Sequence, residues 1–217
     1  MNSSLLWIAA ALFTWGIGES MFYMFQPFYL SQLGADPVMI GYILGAVGLA
    51  MMITHIPAGY LSDRIGRRPL LITAWVVGIA ATWIMALAPS LPFFVAGLVL
   101  YGFTAFVSSP LNSYITAARG SWTVGRAITL LSATFNLGMV IGPFTGGWIG
   151  NHYGLRSVYF VAGILFIIST FFIVMISPQA SEPHETGRLP YELFSNKRYL
   201  GFLALGFMVM FASYFPQ

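Results

Sequence analysis

Six stretches of about twenty or more apolar residues, sharing a single charge, decide what this chain can become. They run Leu5–Leu30, Val38–Leu61, Leu70–Ala88, Leu91–Ala118, Ala127–Gly150 and Val158–Ile176. A seventh starts at Tyr199 and is still running at Gln217. A helix rises about 1.5 Å per residue, so roughly 20 apolar residues cross the hydrocarbon core of a bilayer. Lipid offers a backbone no hydrogen bonds, so each stretch is expected as a helix. Only Glu19 places a formal charge inside one. Charged residues make up 7% of the chain and hydrophobic ones 58%. A water-facing domain carries roughly 25% charged residues, so this chain has too few to coat a soluble globule.

The connections fix an expected orientation. Arg64, Arg67 and Arg68 lie between stretches two and three, Arg119 and Arg126 between four and five, and Arg188, Lys197 and Arg198 between six and seven. The opposite side has only Arg156. Basic loops stay cytoplasmic, so the N-terminus is expected inside and the chain in the cell (cytoplasmic) membrane as a multi-pass protein. The net charge of +3 then reflects membrane topology, and no nucleic-acid partner is expected. No cysteine is present, which removes disulfides, Cys-ligated metals and thiol nucleophiles. The N-terminus lacks a basic n-region, and its first apolar run is too long for a signal-peptide core. Three segments are expected: a six-helix bundle over 1–176, a cytoplasmic linker over 177–198 and an incomplete seventh helix over 199–217. The linker carries Pro178, Pro183 and Pro190, and a short surface helix is expected around Tyr191–Asn196.

The chain also repeats itself. The end of the second stretch reads Gly59-Tyr-Leu-Ser-Asp63-Arg-Ile-Gly66-Arg-Arg68. At a shift of 88 residues, from 59 to 147, the end of the fifth reads Gly147-Trp-Ile-Gly-Asn151-His-Tyr-Gly154-Leu-Arg156. Gly59, Asp63, Gly66 and Arg68 match Gly147, Asn151, Gly154 and Arg156. The two copies fall on opposite sides of the membrane, which implies an inverted repeat of three helices plus three, a construction common in transporters.

The segment Gly59–Pro69, GYLSDRIGRRP, resembles the loop signature G-x-L-x-D-R-x-G-R-R of the major facilitator superfamily, on the loop between helices 2 and 3 where that family has it. Gly59 allows close helix packing and Gly66 a tight turn. Asp63 can cap the next helix or pair with an Arg. Arg64, Arg67 and Arg68 suit an anionic membrane surface, and a generic basic loop is the competing explanation. In helix 5, Gly138-Met-Val-Ile-Gly142-Pro143-Phe-Thr-Gly146-Gly147 resembles the G-x-x-x-G-P-x-x-G-G motif of the family's drug–proton antiporter branches. Pro143 bends a helix and the glycines admit a neighbour, so ordinary small-residue packing is the alternative. Those branches usually carry an Arg in helix 4, where this chain has Leu98, so an Arg-assisted relay is not implied there. The resemblance implies an all-α membrane fold, the N-terminal six-helix half of a family that usually has twelve helices. It also implies a C-terminal six-helix half as partner, which the helix 2–3 loop would dock on.

Glu19 sits about 14 residues, or roughly 21 Å, past Leu5. An intramembrane carboxylate costs about 2.5 kcal/mol or more and marks a functional candidate. A proton and a cation would compete for it; a protonated Glu bonding a neighbouring helix is the alternative. Polar residues recur at helical spacing: Trp15, Glu19, Tyr23 and Gln26 on helix 1, Tyr101, Thr104, Ser108 and Asn112 on helix 4, Thr129, Ser132 and Asn136 on helix 5. Three such stripes suggest one shared cavity, with about half of these residues spent on packing hydrogen bonds. The family resemblance likewise puts helices 1 and 4 on a central path. His55 can relay protons or serve as a hydrogen-bonded residue beside Pro57. Met51-Met52 fits lipid-facing filler better than a metal path.

The expected function is secondary active transport by alternating access, coupled to protons and exporting small lipophilic or cationic compounds. The alternatives are uptake of a sugar, an organic acid or another metabolite, or a half-length chain that is a partner subunit or a gene fragment. The expected partners are the lipid bilayer, a small-molecule substrate, protons and the second half. No cofactor and no metal is expected. No catalytic constellation falls within the spans, and no phosphate-cradling loop is present, so neither an enzyme nor ATP drive is expected.

Overall fold

The computed structural model describes residues 3–179 together with 200, 201 and 205, without the side chains of 56–64. The surface helix expected at Tyr191–Asn196, the linker beyond 179 and nearly all of the seventh helix lie outside the described residues. Residues 3–179 belong to the first of two compact units, Met1–Ser181.

Eight α-helices follow one another without a strand among the described residues: α1 Ser3–Tyr23, α2 Gln26–Gln32, α3 Pro37–Ile65, α4 Arg67–Leu87, α5 Leu91–Phe103, α6 Ser108–Ala118, α7 Val124–Tyr153 and α8 Leu155–Val174. Among the described residues, six spans are long and apolar enough to cross a membrane. Two of the expected stretches are not single α-helices. The first breaks at Met24–Phe25, between α1 and α2. Pro27 explains it, since its ring would clash with the carbonyl four residues back, at Tyr23. The fourth passes through a 3-10 segment, Thr104–Val107, between α5 and α6. Pro110 acts there in the same way on Phe106. By contrast α7 continues through Pro143 as one helix. Several helices also extend beyond the apolar stretches, so that Asp63, Arg64, Arg126 and Arg156 all fall within helical turns.

Several hydroxyls inside the spans bond back to their own helix, a partner that lipid cannot supply. Thr14 donates to Ala10 O, Ser20 to Gly16 O and Thr82 to Gly78 O. One buried chain links three helices: Trp75 Nε1 donates to Ser169 Oγ at 2.8 Å, and Ser169 Oγ donates to Ala11 O at 2.7 Å.

The core has two halves. One gathers Phe22, Tyr29, Phe94, Tyr159 and Phe166, the other Leu5, Ile8, Trp75, Tyr114 and Ile173. Trp15 packs against both. α1 runs through the middle, with 56% of its most apolar stretch buried, against 17% for α3 and 22% for α7. Tyr42, Leu49, Met52, Val140, Phe144 and Trp148 are therefore exposed on α3 and α7.

The inverted repeat is visible in the backbone. Gly66 precedes α4 with φ 92° and ψ 155°, and Gly154 precedes α8 with φ 84° and ψ 153°. Both angles lie where a side chain is strained, which accounts for glycine in each copy. Arg68, near the start of α4, donates from Nη2 to Val174 O at the end of α8, at 2.8 Å. Arg156, near the start of α8, donates from Nε to Ala86 O near the end of α4, at 2.7 Å. The 88-residue shift that relates Arg68 to Arg156 also relates Ala86 to Val174. The antiparallel pair α4–α8 is thus clasped at both ends by the same contact.

Within the basic loop, Arg67 Nη1 lies 3.3 Å from Gln179 Oε1. Gly66 holds the N-cap position of α4 without a side-chain cap, and Asp63 belongs to the last turn of α3. The side chains of Asp63 and Arg64, and the surroundings of Gly59, lie outside the described residues.

Candidate functional site

A cavity of about 390 Å³ opens among α1, α3, α4, α5, the 3-10 segment, α6 and α7. Trp15 and Glu19 line it from α1. Tyr101, Thr104, Ser108 and Asn112 line it from the fourth span, and Ser132 and Asn136 from α7. These residues are far apart in sequence but share helix faces at steps of three or four, so one inward face of each helix carries its set. Tyr23 and Gln26 do not line it. They flank the break after α1, where the helical spacing that would have continued the stripe ends; Tyr23 is 46% exposed and Gln26 is buried elsewhere. Thr129 is exposed and does not line the cavity either.

On the cavity wall, Tyr101 is hydrogen-bonded to Glu19 and receives a hydrogen bond from Trp15. An indole N–H only donates, so the chain runs Trp15 N–H to Tyr101 Oη, then Tyr101 O–H to the Glu19 carboxylate. Trp15 is itself locked by stacking on Phe166, with ring centroids 3.8 Å apart and planes at 5°, and by tilted contact with Trp75 at 5.2 Å. Among the described residues, no Lys or Arg lines the cavity. A carboxylate against these walls needs a proton or a cation beside it, because an unpaired buried charge is costly.

The rest of the polar lining is neutral. Asn136 Nδ2 donates to Ser132 O at 2.7 Å, leaving its amide oxygen as an acceptor, and Thr104 Oγ1 donates to Tyr101 O. Asn112, Ser132 and Asn136 are exposed on the flank of the bundle. Trp75, Phe135, Leu12 and Met51 are among the apolar residues of the walls. The polar pattern gave no signal for these four, because apolar residues in an apolar span carry no contrast.

The helix-5 glycines meet a different neighbour. A Cβ on Gly138 would meet the backbone of Phe13 and Ile17, one on Gly142 that of Ile17 and Ser20 Oγ, and one on Gly146 that of Met21. A Cβ on Gly147 would stand 3.3 Å from the Phe25 ring. Gly138, Gly142 and Gly146 form a ladder, four residues apart, on which α1 lies backbone to backbone. They thereby hold the helix that carries Glu19.

A bundle of six apolar spans in two inverted triplets, around a cavity with one carboxylate among the described residues, is the N-terminal half of a membrane transporter architecture. The chain belongs to the Major Facilitator Superfamily, whose family model matches residues 6–217. Over 218 residues it is 28% identical to the multi-drug resistance efflux pump PmrA of Streptococcus pneumoniae, covering 93% of this chain and 53% of that one. Over 169 residues it is 28% identical to an MFS-type transporter of Methanocaldococcus jannaschii, covering 77% and 43%. A tetracycline resistance protein of class C from Escherichia coli is 32% identical over 125 residues, covering 58% and 31%. The chain spans about half the length of the curated relatives it matches. A solved peptide transporter (POT) in complex with sulfate superposes with a TM-score of 0.74 over 100% of this chain and 48% of its own, at 15% identity, a likeness of fold.

Proposed function

We propose that this chain is the N-terminal half of a proton-coupled exporter of small lipophilic or cationic compounds, working by alternating access in the cell membrane with its N-terminus in the cytoplasm. The observation that carries the proposal is Glu19, the one charged side chain among the described residues on the cavity wall, held by Tyr101 in a lining that includes Trp15 and Trp75. Aromatic faces attract cations, and a carboxylate supplies the countercharge. A proton and a lipophilic cation cannot both occupy Glu19 favourably, so each displaces the other. That competition couples a proton gradient to export. Two relatives, named for multi-drug efflux and for tetracycline resistance, support this substrate class. The basic loops on one side, against Arg156 on the other, support the orientation.

The test is ligand affinity against pH in a complete two-bundle transporter. Wild-type affinity for a monovalent lipophilic cation should rise across about pH 5–9, as the competing proton is removed. Glu19→Gln keeps the shape and a hydrogen bond to Tyr101, so the fold should persist while the pH dependence disappears and proton-driven transport is lost. Equal pH dependence in the two proteins would make Glu19 a structural residue.

A further inference from the structure

α6 is a hinged part of the cavity wall. It follows the 3-10 segment Thr104–Val107, and Pro110 has no N–H to offer the Phe106 carbonyl. A 3-10 stretch inside a span is a place where a helix can bend. Beyond it, Ser108, Leu111, Asn112 and Ile115 line the cavity from α6. The other end of α6 is held by the residues that follow α8. Ile176 is buried in the same half of the core as Tyr114, Ile115 and Ala118. Tyr114 Oη donates to Ser177 O at 2.6 Å, and Ser177 N–H donates to Ser4 Oγ of α1 at 3.2 Å. Gln179 reaches two elements with one amide. Its Nε2 donates to Tyr114 O at 3.0 Å, and its Oε1 accepts from Arg67 Nη1, at the start of α4, at 3.3 Å. A carbonyl only accepts and a guanidinium only donates, so this amide fits one way round.

We infer that residues 176–179 are a latch on α6: they hold this hinged stretch of the cavity wall against the bundle, and their release lets α6 swing about the 3-10 segment and reshape the cavity. The inference does not depend on the role given to Glu19. Hinge, cavity face and latch all lie on one helix of 11 residues, with the hinge at its start and the latch towards its other end. Among the described residues, both hydrogen bonds between α6 and the segment after α8 pass through Tyr114, one at its hydroxyl and one at its carbonyl. The same segment is fixed to α1 by Ser4 and to α4 by Arg67, so α6 is tied to two other spans through it. A hinge at one end and a short set of polar contacts at the other are what a rigid-body swing of a helix needs. The chain runs on from Gln179 towards the seventh apolar stretch. A pull on that following chain is borne by the Gln179 amide before it reaches α8, and the amide's partner is the cavity-wall helix. Contacts made in only one arrangement of α6 favour that arrangement, so losing them shifts the population towards the other.

The chain has no cysteine, so introduced pairs can be labelled cleanly. Ala117 on α6 and Phe171 on α8 are exposed. Spin labels at Ala117→Cys and Phe171→Cys, in the full chain in lipid nanodiscs, report the position of the α6 end against the bundle. One narrow distance distribution is expected in the labelled parent. Gln179→Ala and Tyr114→Phe should each broaden it or add a second distance. Gln179→Glu separates the two contacts of the amide. Its carboxylate still accepts from Arg67, but nothing remains to donate to Tyr114 O, so it should release α6 as Gln179→Ala does. Labels at Phe93→Cys on α5, before the hinge, and Ile164→Cys on α8 should keep their distribution in all three variants. A parent-like α6–α8 distribution in Gln179→Ala, Tyr114→Phe or Gln179→Glu would overturn the inference. Equal broadening at the Phe93–Ile164 pair would overturn it too, because the bundle as a whole would then have loosened.

Discussion

At Gly78 the Cβ of any other residue would meet the six-membered ring of Trp15. That contact sets where Trp15 lies, and Trp15 in turn donates to Tyr101, which holds Glu19. Gly78→Ala should therefore destabilise the bundle by about 1–3 kcal/mol through overpacking. Trp15→Phe in the same chain shortens the ring and should recover part of that loss, giving a non-additive double-mutant cycle. Thermal melts of the four proteins in one detergent check this; additive effects would mean the slot does not position Trp15. The residues around Glu19 were readable one by one, because Trp15, Glu19 and Tyr101 are polar-tipped residues in apolar helices. Their mutual arrangement was not. Gly78 and Phe166 create it, and nothing in an apolar stretch marks a glycine as the floor of an indole slot.

Between elements, the two pairings that shape the bundle have different chemistry. α1 and α7 meet through absent side chains. α4 and α8 are clasped by Arg68 and Arg156, each reaching a carbonyl at the far end of its antiparallel partner. The glycine pairing sharply limits substitution. Gly142→Leu must push α1 off α7, since Ile17 O lies 2.5 Å from where its Cβ would stand. A loss of at least about 3 kcal/mol is expected, seen as failure to recover monodisperse protein. Gly45→Ala on α3 meets open space and should stay within about 1 kcal/mol of the parent, an alanine being the better helix former. Equal tolerance at both positions would show that the G-x-x-x-G-P segment is not a packing surface. The six spans were legible because lipid demands length and apolarity. Their breaks were less so: Pro27 and Pro110 sit inside apolar runs that hydropathy counts as continuous, while Pro143 sits in a helix that tolerates it. The repeat was legible as letters, but the matched clasp required knowing that residues 86 and 174 face Arg156 and Arg68.

For the whole molecule, the distribution of burial carries the consequence. α1 and α4 bury about half of their apolar stretches, whereas α3 and α7 bury 17% and 22% and flank the exposed Asn112, Ser132 and Asn136. Lipid can cover Leu49 or Phe144, but it offers no hydrogen bonds to amides and hydroxyls. Those polar groups need a water-filled space or a second protein surface, and a six-helix bundle by itself walls such a space on one side only. The chain's relatives are about twice as long, and a C-terminal bundle would supply the other wall. Alternating access requires two bodies that rock about a shared site. The 217-residue chain reconstituted alone in liposomes should therefore fail to move a lipophilic cation against an imposed proton gradient. Supplying a six-helix C-terminal bundle, fused or separate, should restore transport that Glu19→Gln abolishes. The measurement is dye accumulation or release across a pH step, with the three preparations compared at equal protein. Gradient-driven transport by the purified chain as a monomer would show that one bundle suffices and that the exposed polar flank is not a half-site.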